Sequence, residues 1–83
     1  MNIILSPQLI DGQLTIVKAG SVLTINGVDT DTATFNEEES NGYLIRVRGD
    51  DVTVLFPTGA EATEGQRFPD ALINVPDGPV TLP

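Results

Sequence analysis

Turn signals recur at short intervals along this chain. Asp11-Gly12, Ala19-Gly20, Asn26-Gly27 and Gly49-Asp50 separate runs of Val, Ile, Leu and Thr. Those short runs are of β type, with the β-branched bias that suits pleated, half-buried strands. Proline adds a second constraint, because Pro69, Pro76, Pro79 and Pro83 remove ladder donors and keep most of the C-terminal stretch out of a central strand. About six short strands, with turn signals roughly every 8 to 12 residues, imply an all-β fold. The expected architecture is a small antiparallel β-sandwich or partly open β-barrel built from hairpins, ending in an extended Pro-rich C-terminal tail over about residues 76–83.

Two hairpins follow from alternation. In Tyr43 to Phe56 a turn at Gly49-Asp50 sets Val47 beside Val52, Ile45 beside Val54 and Tyr43 beside Phe56 on one apolar face. The opposite face then holds Arg48 beside Asp51 and Arg46 beside Thr53, and glycine at the first turn position suits a type II′ turn. From Gln13 to Asn26, a turn at Ala19-Gly20 or a four-residue loop over Lys18 to Ser21 pairs Ile16 with Leu23 and Leu14 with Ile25. Asn26-Gly27 should reverse the chain into an edge strand over Val28 to Phe35. Asp11-Gly12 separates an N-terminal strand around Ile3 to Leu5, which Ser6-Pro7 bends or ends. Residues Ala71 to Val75 read as a short edge strand, and about 36–42 and 57–66 as mobile, solvated loops.

The length of 83 residues leaves room for one small domain, 1–83, whose core is aliphatic: 8 Leu, 7 Ile and 8 Val against 3 Phe and 1 Tyr. With no cysteine there is no disulfide to reinforce so small a core, so a homo-oligomer or a place in a larger assembly is expected. No apolar run approaches the ~18 residues of a membrane span, and the N-terminus lacks a basic leader, so synthesis in the cytoplasm is expected. Twelve acidic residues against four basic ones give a net charge of −8, which repels phosphate backbones and anionic lipid, so neither direct nucleic-acid binding nor membrane binding is expected.

Residue chemistry points away from catalysis. There is no histidine to move protons and no cysteine nucleophile, Lys18 falls in an expected turn, and the carboxylates cluster in loops of a chain too short to wall a cleft. Hard oxygen ligands are abundant around Asp29, Asp31 and Glu37 to Glu39, but an EF-hand's glycine and terminal glutamate are missing at their spacing. A charged edge that discourages strand pairing accounts for them. No catalytic residue, cofactor or metal is expected. Leu44 and Leu55 would pair on the outward face of the Tyr43 to Phe56 hairpin, beside Arg46 and Arg48. An apolar pair needing cover makes Leu44, Arg46, Arg48 and Leu55 the candidate interface; the alternative is the polar side of a hairpin, or, in a closed sandwich, an apolar pair that faces the second sheet.

Several blocks taken in order carry a resemblance: Ile4-Leu5-Ser6-Pro7, Leu23-Thr24-Ile25-Asn26-Gly27, Val54-Leu55-Phe56-Pro57-Thr58-Gly59-Ala60, Arg67-Phe68-Pro69 and Asp77-Gly78-Pro79-Val80-Thr81-Leu82-Pro83. Through them the chain resembles small uncharacterised proteins encoded in the tail modules of bacteriophages and prophages, near tail-fibre genes. Residues Thr30 to Ser40 depart most from that pattern. The resemblance assigns no residue a role. It implies a non-enzymatic virion tail component or tail/fibre assembly factor that acts through protein–protein contacts with a tail or fibre protein. The competing expectation is an acidic phage-encoded inhibitor of a host nucleic-acid-binding protein, with Glu37, Glu38 and Glu39 carrying the contact.

Overall fold

Positive-φ turn positions fix where the strands begin. The computed structural model describes residues 1–36 and 42–83. Its strands are β1 (Asn2–Gln8), β2 (Ile16–Ala19), β3 (Val22–Ile25), β4 (Val28–Asp31), β5 (Leu44–Arg48), β6 (Asp51–Pro57) and β7 (Gly78–Pro79), with one helical turn, α1 (Glu64–Arg67). They form a three-stranded sheet in the order β1-β6-β5 and a four-stranded sheet in the order β4-β3-β2-β7. The all-β two-sheet architecture is therefore as expected.

Gly49 adopts φ +59 while Asp50 keeps a negative φ, the type II′ pattern, and Arg48 faces Asp51 across it. Asn26 and Gly27 both take positive φ, 50° and 82°, as a type I′ turn requires. The Asn26 side chain prolongs the pairing beyond the strand ends. Its Oδ1 accepts from the Thr15 N–H at 2.8 Å, and its Nδ2 donates to the Gln13 carbonyl at 2.9 Å.

The β2–β3 turn sits one residue later than expected, at Gly20-Ser21, because Gly20 rather than Ala19 occupies the first turn position at φ +59. Ile16 consequently pairs with Ile25 instead of Leu23. Each partner moves by two residues, so every side chain keeps its face. Lys18 lies opposite Leu23 inside β2 and not in the turn.

Three further expectations are corrected. First, β1 runs through Ser6-Pro7 to Gln8 and pairs with β6 in parallel, from Asn2↔Asp51 to Gln8↔Pro57, so that sheet is mixed rather than antiparallel. Pro7 is tolerated because Ile3 directs its N–H away from β6 to the Leu72 carbonyl, and Pro7 shares that outward parity. Second, the β5–β6 ladder carries a bulge: Leu44 pairs with Val54 and Arg46 with Thr53, leaving Ile45 as the extra residue. Third, β4 ends at Asp31, whose Oδ1 accepts from Ser21 Oγ at 3.0 Å and from the Ala33 N–H at 2.9 Å.

The C-terminal half also differs. Residues read as a loop hold α1, capped by a box in which Gln66 N–H donates to Thr63 Oγ1 at 3.2 Å and Thr63 N–H to Gln66 Oε1 at 3.0 Å. Instead of an edge strand, Ala71 to Val75 makes one isolated bridge, Leu72 with Ile3. The tail is not wholly free, since Gly78–Pro79 pairs with β2 and Val80 N–H donates to the Ile16 carbonyl at 2.9 Å.

Both sheets contribute to one core. Ile3, Leu5, Leu44, Val52, Val54 and Phe56 come from the first, Ile16, Leu23 and Ile25 from the second, and Val75 from the C-terminal stretch. Leu23 is wholly buried, so Leu23→Ala should lower the unfolding free energy by about 2–5 kcal/mol in urea titrations. Val28→Ala, at a site 62% exposed, should change it by less than about 1 kcal/mol.

Candidate functional site

One side of the sandwich is closed by the C-terminal stretch, and on the other the described residues end at β4 and β5. On the closed side, Leu72 exchanges hydrogen bonds with Ile3 and Val75 N–H donates to the Met1 carbonyl. A few residues later Val80 N–H reaches Ile16 on β2, so one segment ties the outer edges of both sheets together. Asp77 fastens it. Its Oδ1 accepts from Lys18 Nζ at 2.7 Å and from the Gly20 N–H at 3.1 Å. The Lys18 side chain is largely covered and brings its ammonium out to the carboxylate.

On that other side, β4 and β5 are the terminal strands of their sheets. Between them runs an apolar cleft of about 230 Å³, lined by Ile25, Val28, Thr30, Phe35, Tyr43 and Leu44 among others. Terminal strands beside an apolar slot are a geometry that can hold an extended segment.

The four candidate interface residues do not stay together. Arg46 and Arg48 are exposed on the outer face of β5, opposite Thr53 and Asp51, as the alternation predicts. Leu55 is half-buried on the outer face of β6. Leu44 is 5% exposed and belongs to the core, because the bulge at Ile45 turns it inward to face Val54. The outward apolar pair of Leu44 with Leu55 therefore does not form. Ile4, 38% exposed and paired with Thr53, lies diagonally across from Leu55 and supplies the apolar surface there.

The sequence reading missed other exposed apolar residues. Leu9 and Ile10 flank a hollow with Thr58 and Gly59, while Phe68 and Ile73, 76% and 63% exposed, border two hollows that share Leu72 and Thr81. The Thr63-Glu-Gly-Gln66 capping box marks the start of α1 and Pro69 bounds its end, so the short helix before Phe68 was legible in the sequence.

Acidic residues near the open edge are engaged with their own sheet. Asp29 Oδ1 accepts from Thr24 Oγ1 at 2.6 Å, and Asp31 Oδ1 is taken by Ser21 and Ala33. Among the described residues no group of three or more potential ligands is placed to hold a metal ion. Glu37 to Glu39 lie outside the described residues. Among those described, no helix is long and apolar enough to cross a membrane. Searches found no family model, curated protein or solved structure that matches the chain.

The Asp77 carboxyl is held below its ordinary value of 3.8 by the Lys18 hydrogen bond first, then by the Gly20 N–H and the Lys18 charge. Since folding lowers this pKa, the tie contributes fully above pH 3.8 and is lost as pH falls through the lower native value. Asp77→Asn should therefore shrink the loss of stability seen in urea titrations as pH drops below 3.8. The same variant should accelerate hydrogen exchange at the Val80 amide. An acid limb and a Val80 exchange rate identical to wild type would show that Asp77 does not hold the segment.

Proposed function

We propose that this chain is a non-enzymatic protein of a bacteriophage or prophage tail module, a virion tail component or a tail/fibre assembly factor, acting through protein–protein contacts. The biological setting comes from the ordered blocks Ile4-Leu5-Ser6-Pro7 through Asp77-Gly78-Pro79-Val80-Thr81-Leu82-Pro83. The mode of action is supported by one structural observation: β4 and β5 end their sheets side by side with an apolar cleft between them. An extended segment of a tail or fibre protein added to either edge gains main-chain hydrogen bonds, and the cleft takes up its apolar side chains. In this reading the protein is made in the host cytoplasm and either remains there or enters the particle.

The test uses a tagged chain expressed in phage-producing cells. Capture from the lysate should recover a tail or fibre protein, or purified particles should contain the chain in fixed stoichiometry when analysed by mass spectrometry. Absence from particles together with capture of no tail-module protein overturns the reading. Capture of a basic nucleic-acid-binding host protein in its place transfers the function to inhibition, consistent with the net charge of −8.

A further inference from the structure

Asn26-Gly27 is a turn and also a reactive dipeptide. A carboxamide one residue before a glycine is open to attack by the glycine nitrogen, because glycine has no Cβ to crowd the approach. The Gly27 nitrogen attacks Asn26 Cγ, a C–N bond forms, and the side-chain nitrogen leaves as ammonia, carrying off the Gly27 amide proton. Water then opens the resulting succinimide at either carbonyl, giving aspartate or the isomer whose main chain runs through Cγ. The sequence of steps needs only water. Asn26 and Gly27 are both exposed, so water reaches them.

The fold aims that carboxamide away from Gly27. Ile16↔Ile25 ends the β2–β3 ladder, and Thr15 and Asn26 stand next in register. The Asn26 N–H donates to the Thr15 carbonyl at 2.9 Å, as in a backbone pair. The return bond is made by the side chain: the Thr15 N–H donates to Asn26 Oδ1 at 2.8 Å, and Thr15 Oγ1 lies 3.4 Å from the same oxygen. Asn26 Nδ2 donates to the Gln13 carbonyl at 2.9 Å. Both ends of the carboxamide are thus taken up by the chain that precedes β2. With Oδ1 standing in for the backbone carbonyl in this pair, the Asn26 backbone turns to φ 50 for the hairpin to β4.

We infer that Asn26 is a deamidation site gated by the fold, held as a carboxamide while Gln13 and Thr15 clamp it and converted when that end of the hairpin opens. Bringing Cγ onto the Gly27 nitrogen turns the side chain away from both partners, so the clamp must break first. Ends of ladders open more readily than the core, and Gln13 and Thr15 are exposed and lie outside the strands. Loss of ammonia makes the conversion irreversible. Aspartate at this position keeps an acceptor for the Thr15 N–H but offers no donor to Gln13, whose carbonyl then faces an anion. It also adds a negative charge to a chain already at −8. The isomer inserts one extra backbone atom between β3 and β4, where a two-residue turn sets their register. This site goes beyond the tail-module reading and does not rest on it.

Peptide mapping by mass spectrometry tests it, on the full chain incubated in mildly alkaline buffer with and without unfolding urea. In the peptide that carries Asn26, conversion should be at least about tenfold slower in the native chain, the factor expected from two hydrogen bonds that must be broken. Below the unfolding transition the rate should rise with urea in step with hydrogen exchange of the Asn26 amide, which opens with the same pair. Asn26→Asp, which reproduces one product, should unfold at lower urea than wild type. A native rate within about twofold of the unfolded one would show that the clamp does not protect the carboxamide. No conversion in urea, a native rate that stays flat while Asn26 exchange rises, or an Asn26→Asp chain as stable as wild type would each overturn the inference as well.

Discussion

The fold depends on one segment that hydrogen-bonds to both sheets. Leu72 bonds to β1 and Val75 to Met1 just before it, while Gly78–Pro79 and Val80 bond to β2, and Asp77 receives Lys18 between them. Neither sheet is large: the three-stranded one holds seven-residue strands at β1 and β6, and the four-stranded one consists of strands of four residues or fewer. Each sheet carries one apolar face, and the two are buried against each other in a shared interior. The segment closes one side of that interior with Val75 and holds the two inner faces in one arrangement.

Among the described residues, β4 and β5 end their sheets on the side away from the C-terminal segment. A terminal strand is a site of unwanted pairing, and β4 carries Asp29 and Asp31 there while β5 carries Arg46, Arg48 and a bulge at Ile45, features that blunt an edge.

Several polar contacts of the described residues are structural: Asp77 holds the segment, Asp29 and Asp31 brace the β3–β4 hairpin, and Asn26 extends the pairing of β2 with β3. Buried side-chain polar atoms all have partners among the described residues. The outer face of the three-stranded sheet mixes partly exposed aliphatic residues, Ile4 and Leu55, with the charges of Arg46, Arg48 and Asp51.

Local chemistry determined the all-β class, the positions of the Asn26-Gly27 and Gly49-Asp50 turns, the inward face of β3 and β6, and the outward placement of Arg46 and Arg48. These follow from glycine's access to positive φ and from the two-residue repeat of a strand, both readable from a few neighbouring residues. The Gly20-Ser21 turn was within reach too, because glycine at the first type II′ position outranks alanine. The capping box at Thr63 was equally legible. Tertiary structure alone decided the parallel docking of β1 on β6, the bulge that sends Leu44 into the core, and the reach of the C-terminal segment across both sheets. No turn links those partners. Asn2 and Asp51, or Lys18 and Asp77, are brought together by burial of the shared interior, and a sequence carries no local mark of which distant edge a strand will find.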